Sequence, residues 1–224
     1  MEQIESFSEV GGKHTTSAAT PHEFYITAHY LIKKYSEDSE LLNLFNSLTK
    51  SENVVSRAMG LYCLAHVKVE KSVPTLKQHL EDPEQFSFIP YGCIMSKTSL
   101  GAFILGLLHN KDWLSATREM SPLLPEHELL RLDLETLVKE DMSDRFVIAR
   151  NGLKSALEKK VITLDIDEIA STLPDLPLST VFKGLGTLMD ENQEVRVFLQ
   201  ECLEDNKINS NTQKIIDLIL KSDK

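Results

Sequence analysis

Cys63 and His66 lie three positions apart, a spacing that on a helix turns two metal ligands toward one side. A zinc site needs three or four ligands, and no second Cys/His pair stands near this one in the sequence. The pair therefore reads as packing. Cys63 borders an apolar stripe, where a free thiol behaves as a small hydrophobe, and His66 falls near a helix end, where a cation suits the backbone dipole. Glu126-His127-Glu128 is a compact acid–base cluster, but neighbours on a helix point about 100° apart, so the three do not converge. Following Pro125, the two glutamates suit a helix N-terminus. No phosphate-loop, HExxH or GxSxG pattern occurs, and Gly11-Gly12 and Gly184-x-Gly186 lack the strand context a phosphate loop needs. The residues thus predict no catalytic constellation, no metal and no cofactor.

Charge is the stronger signal. The chain carries 34 acids against 24 bases, a net of −10. Residues 126–144 hold seven acids and two bases, and residues 190–205 hold six acids and one base, so these two stretches account for the whole excess. Binding phosphates requires a surplus of Lys and Arg, which disfavours nucleic acid as a partner. Arg145, Arg150, Lys154, Lys159 and Lys160 form a local basic stretch, yet Arg145 and Lys154 are nine positions apart and fall near opposite faces of a helix. The acids read either as two solvated helix faces or as a rim that receives a basic protein. Glu126, Glu128, Asp133, Glu191, Glu194 and Glu201 are the candidate contacts for such a partner. Tyr91 and Trp113 are aromatic candidates that, with Glu128 and Asp133, would line a ligand site if the chain were an enzyme.

The elements that must position these residues are helices. Residues 1–19 are polar and predict a mobile tail. Thr20-Pro21-x-Glu23 reads as a capped helix start. Apolar residues then recur at three- and four-residue spacing, as in Phe24/Ala28/Leu31, Leu41/Leu44/Phe45, Val54/Ala58/Leu61 and Val73/Leu76/Leu80, with Pro74 assigned to a first turn. Residues 83–96 break the rhythm with an apolar stretch punctuated by Pro83, Pro90 and Gly92, read as a connection packed on the core. After Trp113, Pro122 and Pro125 mark a boundary near 121–125 within one domain spanning 20–224. Later stripes run through Leu130/Leu134/Leu137, Phe146/Ala149/Leu153, Ile166/Ile169, Leu178/Val181/Phe182 and Val195/Phe198/Leu199. VITL at 161–164 reads as a short extended piece, Asp165-x-x-Glu168 as a helix start and Ser210-x-x-Gln213 as a capping box. No alternating strand pair stands out. The fold class expected is all-α, an irregular stack of antiparallel helical hairpins.

Residues 51–82, SENVVSRAMGLYCLAHVKVEKSVPTLKQHLED, resemble a HEAT-type repeat. The resemblance is carried by Val55-Ser56-Arg57, Ala58, Leu61, Ala65, Leu76 and Leu80, with an acidic turn at Glu81-Asp82-Pro83. Asp190 to Asp205 is similar to a second, weaker copy, entered by Val195-Arg196, and Met142-Ser143-Asp144-Arg145 to the start of a third. The resemblance implies an α–α superhelix whose hairpins bury their faces against one another. Such families mostly bind macromolecules, while a minority are enzymes, so the resemblance alone does not choose.

The expected function is a non-enzymatic helical-repeat scaffold for protein–protein binding, in one version an acidic inhibitor or immunity-type partner of a basic protein. The alternative is a HEAT-like enzyme or small-ligand binder with its site in the concave groove. The N-terminus carries no basic and apolar leader pattern, no apolar run reaches the length of a membrane span, and three widely spaced cysteines argue against a disulfide framework. A cytoplasmic setting is the expectation.

Overall fold

Asn53 starts the helix on which the N-terminal half is organised. Its side-chain oxygen accepts from the N–H groups of Val55 and Ser56 at 2.8 and 3.0 Å, satisfying two donors that the helix itself cannot. The structure, a computed structural model, describes residues 7–13, 21–35, 40–89, 95–115, 121–139 and 143–222. The described residues hold eleven α-helices and three short strands, and the chain divides into two compact units, Met1–Leu124 and Pro125–Lys224. None of the helices is long and apolar enough to cross a membrane.

In the N-terminal unit the helices are α1 (Glu23–Tyr35), α2 (Leu41–Leu48), α3 (Val54–Val67), α4 (Val69–Gln78) and α5 (Leu100–His109). Residues 55–65 of α3 are buried all round save Arg57, and α1, α2, α4 and α5 all pack on this helix. A helix apolar on every face belongs at the centre of its domain. Its small residues let neighbours approach closely: a Cβ on Gly60 would meet the Phe45 carbonyl and the Thr49 nitrogen of the α2 turn at 2.8 Å. Arg57 donates to the carbonyls of Ser51 and Glu52 at 2.9 and 3.1 Å and pairs with Asp82 and Glu84. The basic residue at the head of the 51–82 segment thus ties the acidic turn at its foot.

Three expectations are corrected in this unit. Residues 83–96 contain strands: β2 (Gln85–Ile89) pairs antiparallel with β3 (Ser96–Ser99). Residues 9–11, expected within a mobile tail, form β1 (Glu9–Gly11), which pairs parallel with β2 and buries Val10. The reason is a short alternation. Phe86 and Phe88 point inward from β2 onto Phe103 of α5, with ring centroids 5.8 and 6.0 Å away. Pro74, in turn, sits inside α4 rather than in its first turn, because α4 begins at Val69, directly after Lys68.

The C-terminal unit holds α6 (Glu126–Lys139), α7 (Asp144–Glu158), α8 (Ile166–Thr172), α9 (Leu178–Gly186), α10 (Gln193–Glu204) and α11 (Ser210–Lys221). The largest packing is α6 on α7, and α9 packs on α6, α10 and α11. Ser143, Asp165, Asn192 and Asn209 cap their helices with side-chain oxygens. The capping box expected at Ser210 is displaced by one residue. Asn209 accepts from Thr212 N–H at 2.9 Å, while Gln213 donates instead to the Leu203 and Asp205 carbonyls at the end of α10. Residues 161–164 are bends rather than an extended strand, with Ile162 buried. They follow a Schellman ending of α7: Lys160 N–H donates to Leu157 and Val161 N–H to Ala156, with Lys160 left-handed at φ 58°.

Candidate functional site

All six acidic candidates belong to the C-terminal unit, but they are not equivalent. Glu126 is exposed and Glu128 half-buried in the first turn of α6. Asp133 is only 1% exposed, so its assignment to an acidic rim is corrected. It falls three residues after Leu130 and beside Leu134, on the face that α6 turns inward. Glu191 is exposed but committed internally. Arg150 and Lys154 of α7 reach it at 3.0 and 3.5 Å, and the Arg150 guanidinium holds its carboxyl below the usual range. Arg150 also donates to the Thr187 carbonyl at 2.8 Å, so this cation braces α7 against the turn leading to α10.

Glu194 and Glu201 remain outward and exposed. Seven residues apart on α10, they share one face with Val197, which is 41% exposed, and with the ring of Phe198. Glu194, Val197, Phe198 and Glu201 line, with Leu164 from the 161–164 bends, a cavity of about 290 Å³. Leu164 also borders a cavity of about 490 Å³ toward Lys154 and Asn192, and one of about 190 Å³ toward Asp165, Cys202 and Asp205. The three meet at Leu164 in one shallow groove, bordered by Glu194, Glu201, Asp165 and Asp205 and, toward α7, by Lys154 and Lys160. At its far end Lys207 is paired with Asp167, and on α10 Arg196 lies 3.8 Å from Asp190. Among the described residues, no cation pairs with Glu194 or Glu201. Burial pushes the Cys202 thiol up to about 12, so it stays protonated and contributes packing rather than a nucleophile.

Leu164, Val197 and Phe198 escaped the sequence reading as site residues. The signal was present in part: positions 194, 197, 198 and 201 follow the helical i, i+3, i+4, i+7 pattern with acids at both ends. The contribution of Leu164 comes from a bend that periodicity does not describe.

Among the aromatic candidates, Tyr91 lies outside the described residues. Trp113 opens a short 3-10 turn in the N-terminal unit, and its ring packs on Phe88 and Phe103 at centroid distances of 5.2 and 6.0 Å. A Cβ on Gly106 would meet this ring at 2.1 Å, so the glycine makes the room that Trp113 occupies. Trp113 is half-buried in this aromatic layer beneath the hairpin.

The Cys63/His66 pair sits in a buried polar cluster of the same unit. Cys63 is fully buried and desolvation raises its thiol well above the ordinary range, leaving it inert. His66 Nδ1 is 2.9 Å from the Tyr62 carbonyl and must therefore donate a proton to it, while Nε2 lies 3.4 Å from Asp112 Oδ1 without a hydrogen bond. His29 Nε2 meets the Tyr62 hydroxyl at 3.2 Å, and the Tyr25 hydroxyl lies 3.5 Å from Ser115 Oγ. Burial lowers the pKa of both imidazoles and raises that of Tyr62. Among the described residues, no three His, Cys, Asp or Glu side chains converge on a metal position.

No family model matches the chain, and no significant match to it was found among curated proteins or solved structures.

Proposed function

We propose that this chain is a non-catalytic helical scaffold that binds a basic protein through its C-terminal unit. One observation carries the reading: α10 presents Glu194 and Glu201 on a single exposed face around Val197, with no cation paired to either acid. Glu191, by contrast, is spent internally on Arg150 and Lys154. Opposite net charge speeds encounter with a basic partner, and burying an apolar contact next to it supplies affinity that charge alone does not.

The HEAT-type reading of α3 and α4 is part of the same proposal, supported by the clasp from Arg57 to Asp82 across the segment. A reducing, cytoplasmic setting fits two buried free thiols, Cys63 and Cys202.

The test is affinity capture from native lysate with the full chain and with the Glu194→Lys/Glu201→Lys variant. The reading expects a stoichiometric basic protein retained by the parent chain, released by raised salt and lost from the variant. Equal recovery by both chains, or capture of an acidic protein, would contradict it.

A further inference from the structure

We infer that the Leu164 groove seats one amphipathic helix of that partner, with two cations seven residues apart and an apolar residue between them. This rests on the reading above and adds the shape and register of the bound segment.

The geometry comes from α10 itself. Glu194 and Glu201 are seven positions apart, so at 1.5 Å per residue they stand about 10.5 Å apart along the helix axis. Between them lie Val197, exposed, and Phe198, which reaches the cavity with Leu164. A partner must therefore offer two cations about 10 Å apart with an apolar side chain between them, all on one side. An extended strand matches this less closely. At about 3.3 Å per residue its side chains alternate, so same-side positions fall about 6.6 or 13 Å apart, and the three-residue step that spans 10 Å points to the opposite side. A helix does meet it, because i, i+3 or i+4, and i+7 share one face at that spacing. A free metal ion or small cation would have no use for Leu164, Val197 and Phe198. Asp165, at the start of α8, and Asp205, which ends α10, add negative field, each with Oδ1 accepting from a backbone N–H of its own turn, Glu168 and Lys207.

The experiment uses the full-length chain and two synthetic labelled helical peptides of identical composition. One carries Lys at i and i+7 with Leu at i+3 and i+4; the other moves the leucines to the reverse face. Binding is read by fluorescence anisotropy at physiological salt, with thermal melts confirming that each variant folds. The proposal expects the matched peptide to bind at least about tenfold more tightly, the worth of one good charge-assisted or apolar contact. Val197→Asp and Glu201→Lys should each abolish that preference, and Asp175→Lys, at an exposed acid away from the groove, should leave it unchanged. Equal binding of the two peptides overturns the groove, as does a preference that survives Val197→Asp. If binding then still depends on Glu194 and Glu201, the acidic-face reading stands without the groove. If it depends on neither acid, both fall.

Discussion

His66 faces two oxygens that make opposite demands on its ring. The Tyr62 carbonyl requires a proton on Nδ1, and in the neutral imidazole this leaves the Nε2 lone pair turned toward the Asp112 carboxylate. The charged groups around it are His29 from α1 and Lys111 and Asp112 from the turn after α5, and His29 also faces Lys13 after β1. Desolvation is the largest influence on both His66 and His29, and it places both below their ordinary value. The sign of the pH effect follows. In the native state both rings give up their protons at lower pH than in the unfolded chain, so the unfolded state binds more protons as pH falls below about 6.5. Urea midpoints for the N-terminal unit should hold steady from pH 8 to 7 and fall below 6.5; a midpoint that rises on acidification would contradict the neutral assignment. The same geometry predicts that Asp112→Asn, which offers an N–H to Nε2, stabilises the chain at pH 8 by about 1 kcal/mol, the net worth of one hydrogen bond. Destabilisation would instead mark an imidazolium–carboxylate pair. Cys63 and His66 drew notice in the sequence for their spacing. Their actual neighbours, His29 and Asp112, were invisible because helix packing brings them in from distant positions.

At the scale of elements, the start of α8 was legible, since Asp165 caps it three residues before Glu168 and next to an apolar stripe, while Ser210 lost its cap to Asn209. The hairpin was not legible. β3 is Ser96-Lys97-Thr98-Ser99, which has no apolar alternation, and β1 contributes only three residues, so Phe86 and Phe88 looked like an irregular apolar loop. Their alternation covers only Phe86 and Phe88, too short to read as a strand without the pairing that β1 and β3 supply. The end of α7 departs from the usual choice in a way that can be measured. Lys160 occupies the left-handed position of the Schellman ending, where glycine is favoured. Lys160→Gly should raise stability by about 1 kcal/mol by removing the left-handed penalty of a side chain. A denaturant series that shows a loss instead would mean that the lysine side chain earns its place by a contact along the groove it borders.

Over the whole molecule, charge and helicity were readable from composition and periodicity, and both acidic stretches fall within one compact unit. What composition concealed is how differently the acids are used. Asp133 is buried, Glu191 is braced by Arg150 and Lys154, and Glu194 and Glu201 flank an exposed apolar residue. Burial and pairing decide which part of a net charge is available to a partner, and neither is a property of the charge run itself. The claim that α10 and Leu164 form the receiving surface is tested most directly by placing a photo-crosslinking residue at position 197 of the full chain in its native cells. Position 147, an exposed valine on α7, serves as the control. The account predicts that position 197 captures one protein, through a helical peptide with lysine or arginine on either side of the attached residue. The same products from both positions, or attachment to an acidic peptide, would contradict it.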